Sequence, residues 1–272
     1  MRRGDQLRRS VFVLGGAGDT RCVAAGCHYV DTAGEQGYIM DVFTSFADDA
    51  ERAGVTVVPG MAEDGGPSDL ISHLVSERVD SLDTLTVALW YRDGAVTRGT
   101  MRSMLAIAGQ PVLRYEDGRW IEDPSAARDT VVFPGSAGGI PVTTFPLPPL
   151  ATVPRHVVAR RVDGLINADL VAASGQLTPE LVESSPEGPP VTERLAQRWT
   201  IVADAADSDG NVVRGVVEGS DGYGTTAVIA VEAAHRLASG GAKPGVFAPA
   251  QAFDAAEFLD FLAPHGVRWS VT

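Results

Sequence analysis

The stretch "VFVLGGAGDTRCVAAGCHYVDTAGE", Val11–Glu35, decides how the rest of the chain is read. Its apolar start, "VFVL", predicts a short buried strand. Glycines then give a turn, "DTRCVAAG" predicts a short helix stopped by Gly26, and "CHYVDT" predicts a second strand. Strand, glycine-rich turn, helix, strand and acid is the outline of a dinucleotide-binding fingerprint, G-x-G-x-x-G. Gly16 and Gly18 supply the first two glycines, but Arg21 stands at the third, where helix and strand should touch. Asp31 also lies nearer than the roughly 20 residues that separate the loop from a ribose-binding acid. The spacing therefore matches that fingerprint only weakly.

Working outward, residues 11–60 alternate strand and helix, which implies a parallel sheet. "IMDVFTSFADDAERAG" is an amphipathic helix stopped by Gly54, and "VTVVPG" is a third strand. Residues 61–245 then read as an α+β substrate and dimerisation domain with a large mixed or antiparallel sheet. "LDTLTVALWYR" is a long strand, and "QRWTIVADAADSDG" with "NVVRGVVEGSDG" makes a hairpin. Residues 110–155, rich in Pro, Gly and Thr, read as a long loop packed over a site. Residues 177–194 read as an exposed excursion. Residues 246–272 predict a helix and strand returning to the first domain. The fold class is α/β, with a truncated Rossmann-like parallel sheet over 1–60 joined to the α+β domain.

The net charge of −13 argues against nucleic acid and anionic membranes as partners. No apolar run approaches the roughly 18 residues of a membrane span. "MRRGDQLRRS" has a basic start without the apolar core of a secretion signal, which points to the cytoplasm. Cys22 and Cys27 form neither a zinc set nor a disulfide framework, and the five histidines show no metal spacing.

The chain resembles the saccharopine dehydrogenase-like family, which includes trans-acting enoyl reductases. The resemblance starts with "VLGGAGDTRCVAAGCHYVDTAGE" against a strand, an "aaGPf" turn and a helix ending in "C..AG.HYvDltGE". It continues through "AERAGVTVVPGMAEDGGPSDL" (Ala50–Leu70), "TRGTMRS" (Thr97–Ser103) and the region Tyr223–Gly266, covering nearly the whole chain. In that family about a hundred residues precede the "aaGPf" turn and seat the cofactor pyrophosphate. Only "MRRGDQLRRS" precedes it here, less than the roughly 30 residues of a βαβ unit. The resemblance thus implies a scaffold without its dinucleotide site. "GPF" has become "GAGD" and "GFDSVPSD" has become "AEDGGPSD", changes that fall near the nicotinamide and the substrate in relatives.

Asp31 and Glu35 sit at the carboxyl end of a parallel strand, where ligands bind in open α/β sheets. Thr32-x-x-Glu35 also fits a helix capping box. Glu63 and Asp64 occupy a glycine-flexible turn in the substrate region that the resemblance implies. Paired carboxylates in a half-buried cleft divide acid and base roles. Glu63, Asp64, Asp31 and Glu35 are the candidate catalytic residues. Ser68 is either a helix cap or a substrate contact. Trp90, Tyr91 and Arg98 offer an aromatic wall and a cation, and Tyr223 opens a helix beside the cleft. No residue is assigned to a cofactor or metal.

The leading expectation is a cofactor-independent enzyme doing acid–base or shape-driven chemistry (isomerase, dehydratase or cyclase) on a polyketide-like secondary metabolite. The alternatives are an NAD(P)-dependent oxidoreductase completed by upstream sequence or a partner, with NADP as cofactor, and a non-catalytic accessory subunit. A halved sheet leaves an open edge and an apolar face, which predicts a homodimer.

Overall fold

The computed structural model describes residues 11–14, 19–123 and 125–272. Its first unit is a four-stranded, all-parallel sheet in the order β1-β2-β3-β12. Strand β1 (Val11–Leu14) leads through helix α1 (Asp19–Ala24) to β2 (His28–Asp31). Helix α2 (Gln36–Ala53) then crosses to β3 (Thr56–Val58). Ile39, Val42, Phe43 and Ala50 recur at helical spacing and form the buried face of α2. Gly54 ends this helix in the left-handed region (φ 69) and donates to Ala50 and Glu51.

The chain next builds the layers of a nine-stranded mixed sheet. Helix α3 (Gly66–Ser76) precedes the long β4 (Leu82–Arg92), and helix α4 (Arg98–Ile107) follows it. Strands β5 (Leu113–Glu116), β6 (Arg119–Glu122), β7 (Thr130–Val132) and β8 (Gly139–Thr144) occupy the segment read as a long loop. That reading is corrected: β5–β6 and β7–β8 are antiparallel pairs, and Val131, Phe133 and Val142 cover the outer face of the large sheet.

Short helix α5 (Pro149–Thr152) leads to β9 (Arg161–Asn167), the parallel neighbour of β4. Helices α6 (Ala168–Ser174), α7 (Pro179–Ser184) and α8 (Val191–Ala196) punctuate the excursion. The hairpin of β10 (Arg198–Asp207) and β11 (Val212–Ser220) forms as expected. Its turn is tied by the Asp207 carboxylate, which accepts from the Asp209 and Asn211 N–H groups.

Helix α9 (Gly222–Ala238) returns toward the small sheet, where β12 (Gly245–Val246) pairs with β3. Helices α10 (Pro249–Ala252) and α11 (Ala255–Phe261) precede β13 (Arg268–Val271). The last strand does not return to the first sheet. It pairs with β11 at the edge of the large one, and the strand that rejoins the small sheet is β12.

Period-2 alternation gives the large sheet two distinct faces. Leu85, Val87 and Leu89 of β4 and Trp199, Ile201 and Ala203 of β10 enter the main core, with Leu70 and Ile71 of α3 and Ile229 and Ala233 of α9. Ala88, Leu165 and Val202 face the other way, beneath β7 and β8. Helix α3 lies so close to the sheet that a Cβ at Gly215 would sit 2.5 Å from Ile71. The architecture is thus a small parallel sheet and a larger mixed sheet, with α3 and α9 packed in the shared core between them.

Candidate active site

A cavity of about 880 Å³ opens at the carboxyl end of β2 and β3, bounded by the end of β4, α4 and the start of α9. The turn after β3 carries its most unusual groups. Gly60 adopts φ 72, and a Cβ at Gly65 would lie 2.0 Å from the Gly60 carbonyl oxygen. The turn therefore closes on itself, which projects Glu63 and Asp64 into the cavity wall. Asp31 clasps this turn from β2, because its Oδ1 accepts from the N–H of Gly60 at 2.9 Å and of Ala33 at 3.0 Å. The Tyr38 hydroxyl donates to its Oδ2 at 3.2 Å. Asp31 is wholly buried and does not line the cavity, so its catalytic assignment is corrected to a structural one. Burial pushes its carboxyl up to about 6 despite these donors.

Glu63 is the best-held group of the site. Tyr91 donates its hydroxyl to Oε1 at 3.0 Å, and Thr226 donates to Oε2. Thr226 Oγ1 in turn accepts the Glu63 N–H at 3.1 Å, so one threonine fixes both ends of the residue. A Cβ at Gly222 would lie 2.9 Å from Glu63 Oε1; the carboxyl therefore rests against the N-terminal turn of α9, where the helix dipole favours negative charge. Burial raises the Glu63 carboxyl above the usual range, against these hydroxyl donors.

Asp64 has the opposite surroundings. Among the described residues no side chain donates to it, and burial, then Glu63 and Glu35, push its carboxyl up to about 8 against the backbone N–H donors of Asp64 and Gly65. The two carboxyls titrate as a pair, and the hydroxyl donors on Glu63 favour its ionisation ahead of that of Asp64. Burial and the neighbouring carboxylates hold the Tyr91 hydroxyl well above its ordinary value, so it stays a donor.

Glu35 also faces the cavity, across from Asp64. It stands at the N-cap position of α2 but caps nothing with its side chain, so no capping box forms. Its Oε1 instead accepts from Ser103 of α4 at 2.6 Å, and its Oε2 from the Gly34 N–H at 3.1 Å. Tyr223 reaches the cavity as expected, and its hydroxyl accepts from the Thr97 N–H at 2.8 Å and meets Thr100 Oγ1 at 2.9 Å. Thr97 caps α4, so Tyr223 and Ser103 together pin that helix over the opening.

Three expected substrate contacts do not stand in the site. Trp90 alternates with Tyr91 along β4 and packs on Phe133 on the outer face, with ring centroids 5.4 Å apart. The Arg98 guanidinium donates to the Ser185 carbonyl oxygen, 2.8 Å from Nε, and does not line the cavity. Ser68 is wholly buried inside α3, where it is neither a cap nor a cavity contact.

The residues that sequence reasoning missed are hydroxyls and amides from distant segments. Thr226 and Ser103 hold the carboxylates. Asn167 accepts the Tyr91 N–H at 3.0 Å, and Gln197 accepts the Gly222 N–H at 2.9 Å. Gly222 within "DGYGTTA" was a local clue, since a glycine opening a helix permits such close approach. Among the described residues no group of three His, Cys, Asp or Glu is arranged to hold a metal ion. No described helix is long and apolar enough to cross a membrane.

No protein-family model matches the chain, and no curated protein sequence matches it. Among solved structures it is similar to apo saccharopine dehydrogenase (L-Glu forming) from Saccharomyces cerevisiae. The TM-score is 0.56 at 12% identity, over 99% of this chain and 86% of that one. It is also similar to a meso-dapdh mutant with DAP from Clostridium tetani, with TM-score 0.44 and 14% identity over 94% and 80%. For GenD2 from gentamicin A biosynthesis, in complex with NAD, the TM-score is 0.34 and the identity 13%, over 100% and 82%. The first likeness shows the fold: this chain has a saccharopine-dehydrogenase-like architecture with a Rossmann-like parallel sheet.

Proposed function

We propose that the protein is a small-molecule oxidoreductase whose cavity supplies the proton step of the reaction, with Asp64 as the acid and Glu63 as the base. The observation that carries this reading is the asymmetry of the adjacent carboxyls. Glu63 is held by two hydroxyl donors at a helix N-terminus, and Asp64 is left without a side-chain donor and pushed up to about 8. Two carboxyls whose surroundings push them apart are the usual means by which one site donates and accepts protons near neutrality. The oxidoreductase assignment draws on the fold, which is similar to that of a saccharopine dehydrogenase at a TM-score of 0.56.

That fold implies a nicotinamide dinucleotide, and the described residues fit one end of it. The cavity lies where open α/β sheets bind ligands, and the Thr97, Thr100 and Tyr223 hydroxyls suit a carboxamide. A diphosphate does not fit there, because the Glu35 and Glu63 carboxylates would repel it. The turn over residues 15–18, the other place to seek a diphosphate, lies outside the described residues. When bound, the dinucleotide would supply or take up a hydride. The chain's own part is to fix Glu63 through Tyr91 and Thr226, to keep the Asp64 proton available, and to shield both beneath α4.

A second reading is favoured by the same pair: proton transfer alone suffices for an isomerase, dehydratase or cyclase acting on a polyketide-like metabolite. The two readings separate on calorimetric titration with NADPH and NADH. Micromolar binding supports the oxidoreductase, and no binding at millimolar cofactor supports the cofactor-independent enzyme. Glu63→Gln and Asp64→Asn test the proton role itself, by product formation in the host. Unchanged output from both folded variants would overturn it and leave a non-catalytic accessory role.

A further inference from the structure

We propose that the cavity selects a hydrophobic molecule bearing one positively charged nitrogen, an amine or iminium, and no carboxylate or phosphate. This rests on the proton-transfer reading in taking the same cavity as the site and in the proton held by Asp64. The polar end of the cavity presents Glu35, Glu63 and Asp64, brought together from the end of β2 and the turn after β3. Among the described residues none of these three forms a salt bridge.

The described arginines that come near are held away from these acids, although Arg92 lines the cavity rim and keeps a buried Nε without a hydrogen-bond partner. Arg92, at the rim, lies over the Trp90 ring at 4.0 Å and donates to Thr200 at 3.3 Å, on the face of β4 opposite Tyr91. Arg98 is held by the Ser185 carbonyl oxygen and Arg102 by Glu183 at 2.7 Å. A carboxylate or phosphate placed against Glu35 and Glu63 would thus meet like charge, and among the described residues no cation is paired with those acids. An ammonium would meet the partner that the half-buried carboxyls lack. The opposite end of the cavity is apolar, lined by Leu89, Ile107, Phe145, Leu147, Ile166 and Leu170. The ligand it fits is a cationic head on an apolar body.

No bond between heavy atoms changes on binding; the only bond broken is the Asp64 O–H, whose proton passes to the buffer. The proton on Asp64 leaves to solvent as the positive nitrogen arrives, so one charge enters while one proton departs. A neutral ligand leaves that proton in place.

The test compares three molecules of one shape: phenylbutylamine, phenylbutanol and phenylbutyrate. Each is titrated calorimetrically into the full chain at pH 7, in two buffers of different ionisation enthalpy, which together count the protons released. The amine is expected to bind about tenfold or more tighter than the other two, with release of up to about one proton. Asp64→Asn, verified as folded by circular dichroism, should abolish the release and weaken the amine without weakening the alcohol. Glu35→Gln should weaken the amine and leave the release in place. The proposal is overturned if the alcohol or the acid binds as tightly as the amine, if amine binding releases no proton, or if none of the three binds. Failure of the amine to bind, or to bind tightest, leaves the proton-transfer reading standing; absence of proton release alone would also count against Asp64 as the acid, and product formation in the Glu63 and Asp64 variants decides that reading separately.

Discussion

Asp64→Asn tests where the proton sits, because the side chain keeps its shape and can no longer ionise. In the native protein burial and Glu63 hold this carboxyl at about 8. In the unfolded chain it returns to about 3.9. Between those values the native state keeps a proton that the unfolded state has released, so stability falls as pH rises. The stabilisation is complete below about pH 4 and is lost progressively up to about pH 8. The limiting slope is about 1.4 kcal/mol per pH unit, which integrates to about 3.6 kcal/mol between pH 5 and 8. Water in the cavity and joint titration with Glu63 reduce the effect to about 2 kcal/mol. For a chain of this length that corresponds to about 4–8 °C in Tm. Thermal unfolding of wild type and variant from pH 5 to 8 measures it, since the other carboxyls contribute to both curves and cancel in the difference. The wild type should lose stability across the window and the variant should lose less. Parallel curves would show that Asp64 is already ionised at neutrality, and the acid role would fall with them.

Three further outcomes are expected. Gly65→Ala forces a Cβ against the Gly60 carbonyl oxygen and should cost about 3 kcal/mol in urea unfolding; a loss below about 1 kcal/mol would mean that the turn is not closed as described. Tyr223→Phe leaves the Thr97 N–H without its acceptor and should cost about 1–3 kcal/mol, with faster amide exchange confined to the start of α4; unchanged exchange there would remove Tyr223 as the anchor of that helix. Trp90→Ala should destabilise the fold by about 2 kcal/mol through lost contact with Phe133 while leaving amine affinity in the cavity intact, and a drop in that affinity at full folding would return Trp90 to the site.

Local chemistry made much of this legible in the sequence. The stop at Gly54, the hairpin tied by Asp207 and the turn holding Glu63 and Asp64 each depend on residues within a few positions of one another. The alternation of β4 was also legible, and it already forbids Trp90 and Tyr91 from sharing one wall. What could not be read is partnership across the chain. Thr226 lies 163 positions from Glu63, and Ser103 lies 68 from Glu35. No local pattern distinguishes either from any other helical hydroxyl. Glu35 shows the consequence: its spacing from Thr32 fits a capping box, yet Ser103 takes its carboxylate and the cap is not made. Asp31 shows the reverse, because its place at a strand end suits a ligand contact, while the Gly60 and Ala33 amides draw it inward.

These carboxyls show how one residue type acquires different roles from its donors. Asp31 accepts backbone N–H groups in full burial, so the same bonds that give it an anchoring role keep it from the cavity. Glu63 accepts from two hydroxyls and lies at a helix N-terminus, which favours its charged form. Asp64 receives no side-chain donor and stands beside a charge already placed, so the proton falls to it. The order of donors therefore fixes the order of ionisation, and Tyr91 and Thr226 set the state of Asp64 without touching it. Removing either hydroxyl should shift the pair's titration as a whole.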